Sequence, residues 1–327
     1  MASVPNPDGR FHVPLDGHLY YEDIVDRCHG FINCGIWEGL DKNLLRAWLT
    51  NFRTDEERYF AACVLDALIF RSEKQTISLF RHLFLRVIPD LARLEPGHSG
   101  ALVDAHQKLK RAEFPAEPGL RLVSATKSSD PPSKSSPTLL RHLKRHLQID
   151  ERWIIEPACI SACLSRGVGV FVFIDDLLGT GDQFKQLVDS ENLLSVITSS
   201  YVAYCPLAAH KKGIAALNSA VPLLKIRPVE FLDEKNEIFD PSAGCFDDGT
   251  NNASAAESFY YELLENRGIP LASCDRRGYG GLELTYAFQH AVPDNNLPIL
   301  WWDKSPDWKP LFIRGSCPKS VTAVESL

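Results

Sequence analysis

The sequence predicts an α/β fold: a parallel sheet with flanking helices, preceded by a helical N-terminal section and followed by a hood-like C-terminal segment. Three observations carry this expectation. Between residues 169 and 229 the order is strand, helix, strand, helix, strand, for which right-handed parallel crossovers are the economical arrangement. The run Gly169-Val-Phe-Val-Phe-Ile174 is almost wholly apolar, as a strand covered on both faces is. Upstream, residues 38–94 place apolar side chains at helical spacing instead.

Taken in order, residues 1–37 are a polar lead-in and 38–115 the helical section. Its apolar positions include Leu45, Trp48 and Phe52, then Phe60 and Val64, then Phe80, Phe84 and Val87. Thr54 followed three residues later by Glu57 forms a capping box that starts a helix. Pro89 is expected to close the next one. The α/β core spans 116–240. Leu120–Thr126 alternates like a strand, and the prolines and serines of Lys127–Pro137 indicate a mobile loop. Helix is expected over 138–147, strand over 152–156 and helix over 158–166. The strand beginning at Gly169 ends where polar residues resume at Asp175. Helix over 182–194, strand over Tyr201–Cys205, helix over 208–219 and strand over Leu223–Val229 follow. In the C-terminal segment, 241–327, a helix covers 253–267, Gly268 ends it, Gly278–Gly281 turn, and Leu297–Trp302 forms a strand.

Composition narrows the function classes. With 327 residues, 45% of them hydrophobic, the chain can bury one large core or two smaller ones. Its 35 basic and 42 acidic residues are without a long basic run, which argues against a dedicated nucleic-acid surface. The first residues lack the basic start and apolar stretch of a signal peptide, and no run of transmembrane length occurs. A soluble, cytoplasmic protein with no membrane partner is expected. Nine cysteines without a secreted-scaffold spacing fit reduced side chains.

The chemistry concentrates in Asp175-Asp176-Leu-Leu-Gly179-Thr180-Gly181-Asp182-Gln183. Two carboxylates stand at the end of an apolar strand, and a Gly-Thr-Gly turn leads into a helix. A helix start offers backbone N–H groups and a positive dipole end to a phosphate, and the glycines permit close approach. The carboxylates suit the vicinal hydroxyls of a ribose. One short turn therefore suits a ribose 5-phosphate, although a plain acidic strand-to-helix turn shares the pattern. By this reading a branched side chain at Gly181 would fill the phosphate's place and leave the fold intact.

Weaker constellations accompany it. His142 and His146, and Cys159 and Cys163, are each one helical turn apart, which allows a zinc site or, more simply, surface histidines and core cysteines. Tyr279, Trp301 and Trp302 form a candidate base-stacking hood, with core packing the alternative.

Apolar residues, two acids, three residues and Thr-Gly resemble the PRPP (phosphoribosyl pyrophosphate) loop of type I phosphoribosyltransferases. That resemblance implies a type I phosphoribosyltransferase-like sheet. Asp175 and Asp176 would hold the ribose hydroxyls, and Leu178, Gly179, Thr180, Gly181, Asp182 and Gln183 would cradle the 5-phosphate. Mg²⁺ would arrive with PRPP, in reach of Asp175 and Asp176, and Lys127 and Lys134 would sit on a lid over the pyrophosphate. Two positions depart from the pattern. Gly179 replaces the acid that serves the purine ring in purine-using members, and Gln183 replaces the usual Thr or Ser.

A narrower likeness covers roughly residues 40–314. Trp48-Leu-Thr-Asn-Phe52 with Glu56 and Glu57, Leu65-Asp-Ala-Leu-Ile-Phe70, the loop Ile174–Phe184, and His290–Trp301 with Trp308–Arg314 resemble the PRTase-CE family of bacterial conflict systems, including phage defence. The resemblance implies either phosphoribosyl transfer to an acceptor with release of pyrophosphate, or a ribose-phosphate or nucleotide sensor that has lost the chemistry and acts through a protein partner.

Overall fold

The computed structural model describes residues 9–94, 96–110, 119–126, 135–269, 272 and 275–313. Its helices are α1 (Gly17–Asn33), α2 (Lys42–Leu49), α3 (Asp55–Asp66), α4 (Glu73–His82), α5 (Ile88–Leu94), α6 (Ser99–Leu102) and α7 (Ala105–Leu109). They continue with α8 (Ser135–His146), α9 (Ile160–Leu164), α10 (Asp182–Ser190), α11 (Leu194–Ser199), α12 (Lys211–Ala220) and α13 (Ala253–Asn266). The strands are β1 (Ile69–Arg71), β2 (Leu120–Ser124), β3 (Ile154–Ile155), β4 (Val170–Leu178), β5 (Tyr201–His210), β6 (Lys225–Ile226), β7 (Glu230–Leu232) and β8 (Tyr286–Phe288). The chain divides into two compact units, Lys74–Asp233 and the pairing of Met1–Glu73 with Glu234–Leu327.

Lys74–Asp233 holds the sheet. All its pairings are parallel, in the order β3-β2-β4-β5-β6, with β7 continuing along β5 beyond β6. Right-handed crossovers require α9, α10 and α12 on one face and α8 on the other. The buried residues sort that way. Phe171, Phe173 and Tyr204 form one cluster with Ile160 of α9, Phe184 and Leu187 of α10 and Leu217 of α12. Leu139 and Leu143 of α8 are buried outside that cluster. This is the mixed α/β architecture that the alternation of apolar runs predicts.

Several boundaries in this unit differ from expectation, among them the helix starting at Lys211 rather than 208 and the strand expected over Leu223–Val229, of which Lys225–Ile226 pairs as β6. The helix expected to stop at Pro89 instead runs on, because one wide turn, Leu83–Val87, lies between α4 and α5. That turn re-phases the hydrogen-bond ladder so that Pro89 falls in the first turn of α5, where a missing N–H is no loss. The strand ending at Cys205 instead continues through Pro206 to His210, because Ala208–His210 pair with β7.

In the other unit the helical reading is interrupted by β1, which pairs in parallel with β8. Thr54 and Glu57 do form the capping box of α3. The core gathers Phe60, Phe239, Phe246 and Tyr260 with Trp48 and Trp308. Leu297–Trp302 is not a strand but holds a 3-10 turn, Pro298–Leu300. Pro298 starts it, and the carbonyl of Ile299 is taken by two indole N–H donors, Trp48 at 2.8 Å and Trp308 at 3.1 Å. Buried Asn51 and Asn296 act as single-residue strand partners. Each side-chain amide accepts from a backbone N–H and donates to the carbonyl of the same residue, Lys309 and Tyr286 respectively. Backbone polar groups are thereby satisfied without a sheet.

Candidate functional site

The carboxyl ends of β2 and β4 lie at the topological switch point of the sheet. From β2 the chain crosses to β3 on one side, and from β4 it crosses to β5 on the other. Ligands in open α/β sheets bind outside the strand ends at such a point. The segment 175–183 begins there.

Asp175 and Asp176 lie inside β4, not after it, because β4 continues to Leu178 alongside β5. They are only 3% and 7% exposed. The Tyr204 hydroxyl donates to Asp175 Oδ2 at 2.9 Å, and the Asp176 backbone N–H donates to Asp175 Oδ1 at 3.0 Å. Asp176 Oδ1 accepts from the Leu177 backbone N–H at 2.8 Å. Burial, reinforced by the neighbouring Asp175 carboxylate, pushes the Tyr204 phenol well above its ordinary value. It therefore stays a donor through the physiological range. The Phe184 ring of α10 stacks on Tyr204 at 4.0 Å, so Asp175 and the helix that opens after the glycine turn share one rigid intermediary.

Pro206, which has no N–H to give, stands directly opposite Asp175 in the β4–β5 register. The Pro206 carbonyl accepts from the Val229 N–H at 3.1 Å, so its missing N–H faces the segment between β6 and β7 and costs the β4–β5 ladder nothing.

The turn itself is backed by α12. Gly181, at φ +91°, is the N-cap of α10 and has no side chain of its own to cap it, while the Asp182 backbone N–H donates to the Thr180 hydroxyl at 3.4 Å. A Cβ on Gly213 would lie 2.2 Å from the Gly179 carbonyl oxygen, so only glycine lets α12 approach the turn. A Cβ on Gly181 would meet Leu217 at 3.1 Å and the Gly213 carbonyl at 3.2 Å. A branched side chain at Gly181 therefore presses on α12 and strains the backbone. It does not merely fill a phosphate's place, which corrects the expectation of an intact fold. The Thr180 hydroxyl donates to the Asp182 carboxylate at 2.8 Å, and Asp182 and Gln183 are exposed. His210, fully buried at the end of β5, accepts the Lys212 backbone N–H at Nδ1, 3.3 Å away, and so caps α12.

The other sequence-derived residues are dispersed. Lys127 and Lys134 lie outside the described residues. Tyr279 is 45% exposed and held through its backbone by Asp294 and Asn295. Trp302 is core, with the Lys304 ammonium 5.5 Å above its ring, and the half-buried Trp301 donates to the Asn296 carbonyl. Cys163 is core and Cys159 exposed. Among the described residues neither joins His142 and His146 in a cluster of metal-ligand atoms. The seven described cysteines are all free, and among the described residues no helix is long and apolar enough to cross a membrane.

Tyr204, Phe184 and Gly213 were not read as site residues from the sequence, and His210, read as an exposed residue opening a helix near a strand end, is buried. Only Gly213 carried a signal, since glycine inside a helix costs about 1 kcal/mol and marks close approach.

A parallel, helix-flanked sheet with an acidic strand end and a glycine turn at its switch point defines a phosphoribosyltransferase-like α/β protein. The PRTase-CE family model matches residues 45–314, and the chain belongs to the PRTase-CE family. Neither the curated proteins nor the solved structures give a match to it.

Proposed function

We propose that the chain binds PRPP or a related ribose 5-phosphate at Asp175–Gln183 and transfers the phosphoribosyl group to an acceptor. The observation that carries this reading is the Gly179–Gly181 turn. It is seated on Gly213, opens α10 at a glycine N-cap, and is separated by two residues from a pair of carboxylates at the switch point. The phosphate would meet the N-terminal amides of α10, and Asp175 and Asp176 would accept from the ribose hydroxyls through the acceptor capacity a carboxylate retains. In transfer, the bond from C1 to the pyrophosphate oxygen breaks as the acceptor's lone pair forms the new bond to C1, and pyrophosphate leaves. Asp175 and Asp176, with the oxygen donors Mg²⁺ prefers, would be in reach of the Mg²⁺ that accompanies PRPP, which would supply neutralisation of the leaving group's charge. Work in bacterial anti-phage defence, in the cytoplasm, completes the proposal and rests on the family likeness.

One observation favours a second reading, a ribose-phosphate or nucleotide sensor acting through a protein partner. Asp182 puts a carboxylate in the first turn of α10, where it repels the incoming phosphate, and Gly179 and Gln183 lack the usual acid and hydroxyl. Both readings are tested by measuring pyrophosphate release from Mg²⁺-PRPP with a panel of bases and nucleosides. Release lost in Asp175→Asn and Asp176→Asn supports transfer. Saturable binding with no release supports the sensor, and absence of both rejects the site.

A further inference from the structure

We propose that the unit formed by Met1–Glu73 and Glu234–Leu327 contains a second binding site, a cavity that takes an aliphatic polyamine. This inference is independent of the ribose-phosphate reading. The cavity is about 610 Å³, within the roughly 300–1,000 Å³ of small-molecule sites.

Its aromatic wall is rigidly held. The Tyr20 and Tyr59 rings meet at 5.6 Å and 57°. Tyr59 stacks on Phe11, and its hydroxyl donates to Asp248 at 2.7 Å. The Tyr20 hydroxyl donates to Asp66 at 2.8 Å. Two phenol rings fixed at an angle beside carboxylates form the kind of corner that attracts an ammonium through its face and its charge.

The charge of the lining selects the ligand's sign. Asp16, Asp66, Asp247 and Asp248 face the cavity with Lys235 as the one lysine or arginine among the described lining residues; Arg27 pairs with Asp66 from outside the lining, so the surplus of negative charge rests on Asp16, Asp247 and Asp248. Burial alone would raise the Asp248 carboxyl. The Asn251 side chain, the Tyr59 hydroxyl and the backbone amides of Asn251 and Thr250 outweigh it and hold the group below its ordinary value. Asp248 is therefore a fixed anion at neutral pH. Such a surface repels phosphates.

A metal ion fits the lining poorly. Burial raises the Cys63 thiol, so it is protonated and a poor ligand. Among the described residues, the cavity's carboxylates and thiols do not bring three ligand atoms together. Pro14, Ile69 and Ile238 add apolar wall, which suits methylene chains between amino groups. Aromatic corner, separated anions and apolar wall together match an alkyl chain with several ammonium groups.

The test titrates the full-length protein with spermidine by calorimetry at constant ionic strength, with magnesium chloride as a parallel titrant. Asp16 and Asp247 are exposed, so the double variant Asp16→Asn/Asp247→Asn should melt as the parent does. We expect saturable spermidine binding that this variant weakens by about tenfold. Tyr20→Phe, which keeps the ring, should stay within about threefold of the parent, and Tyr20→Ala should lose more. Absence of saturable heat, equal affinity in the double variant, or stoichiometric magnesium binding that spermidine displaces would each overturn the proposal.

Discussion

Gly213 stands against Gly179 so closely that a methyl group on its α-carbon would lie 2.2 Å from the Gly179 carbonyl oxygen. The contact is backbone to backbone, so no side chain can swing aside to relieve it. The helix α12 thereby sets the position of the turn that opens α10. Gly213→Ala is expected to destabilise the protein by about 1–3 kcal/mol, the usual cost of overpacking. Urea denaturation reads this directly, and an unchanged midpoint would mean that the turn does not lean on α12.

Asp182 makes a prediction of opposite sign. Its carboxylate favours the N-terminus of α10 by a few tenths of a kcal/mol yet competes with an anionic ligand for the same amides. Asp182→Asn should lower the melting temperature slightly and raise the affinity for ribose 5-phosphate by about fivefold, the effect of removing about 1 kcal/mol of repulsion. Weaker binding in the variant would place the phosphate elsewhere.

Tyr204 links stability to pH and to the site. Its phenol is raised by burial and by the Asp175 carboxylate. The unfolded phenol ionises near the ordinary value while the folded one keeps its proton. The stability from this group is therefore complete below about pH 10 and is lost as pH rises beyond it. Tyr204→Phe should flatten that alkaline decline. It should also cost about 1–3 kcal/mol at neutral pH, because Asp175 loses a buried donor. Melting curves across the alkaline range in both proteins check both effects.

Glu57 and Arg267 form an ion pair with side chains only 9% and 11% exposed. Glu57 also serves the Arg53 and Thr54 amides, and Arg267 Nε donates to the Asn51 carbonyl at 3.0 Å. Removing one partner strands the other, so Glu57→Ala or Arg267→Ala should each cost about 3–5 kcal/mol. The double variant should cost less than the sum. Additive losses in denaturant titrations would show that the two act separately.

The sheet was legible because β4 is covered on both faces and so reads as an unbroken apolar run, and because its neighbours keep strand length. The glycine turn was legible because α10 needs a residue at positive φ. What was not legible depends on residues distant in sequence. β4 runs past Asp175 and β5 past Pro206 only because each has a partner strand to lie against. Tyr204 and Phe184 read as ordinary core residues, and nothing local shows that one holds Asp175 and the other braces it. Periodicity also cannot reveal that residues before Lys74 fold with those after Asp233. Asn51 and Asn296 make long-range backbone clasps that look like loop residues in a linear reading. Leu297–Trp302 looked like a strand because its apolar run is strand-like, while its carbonyl partners lie on other segments.

The most direct test of the central claim is calorimetric titration of Mg²⁺-PRPP into the parent protein, Asp175→Asn and Asp176→Asn. Saturable one-to-one binding by the parent, weakened about tenfold or more in each variant and competed by ribose 5-phosphate, is the predicted result. An absence of binding by the parent, or equal affinity in all three proteins, would contradict it.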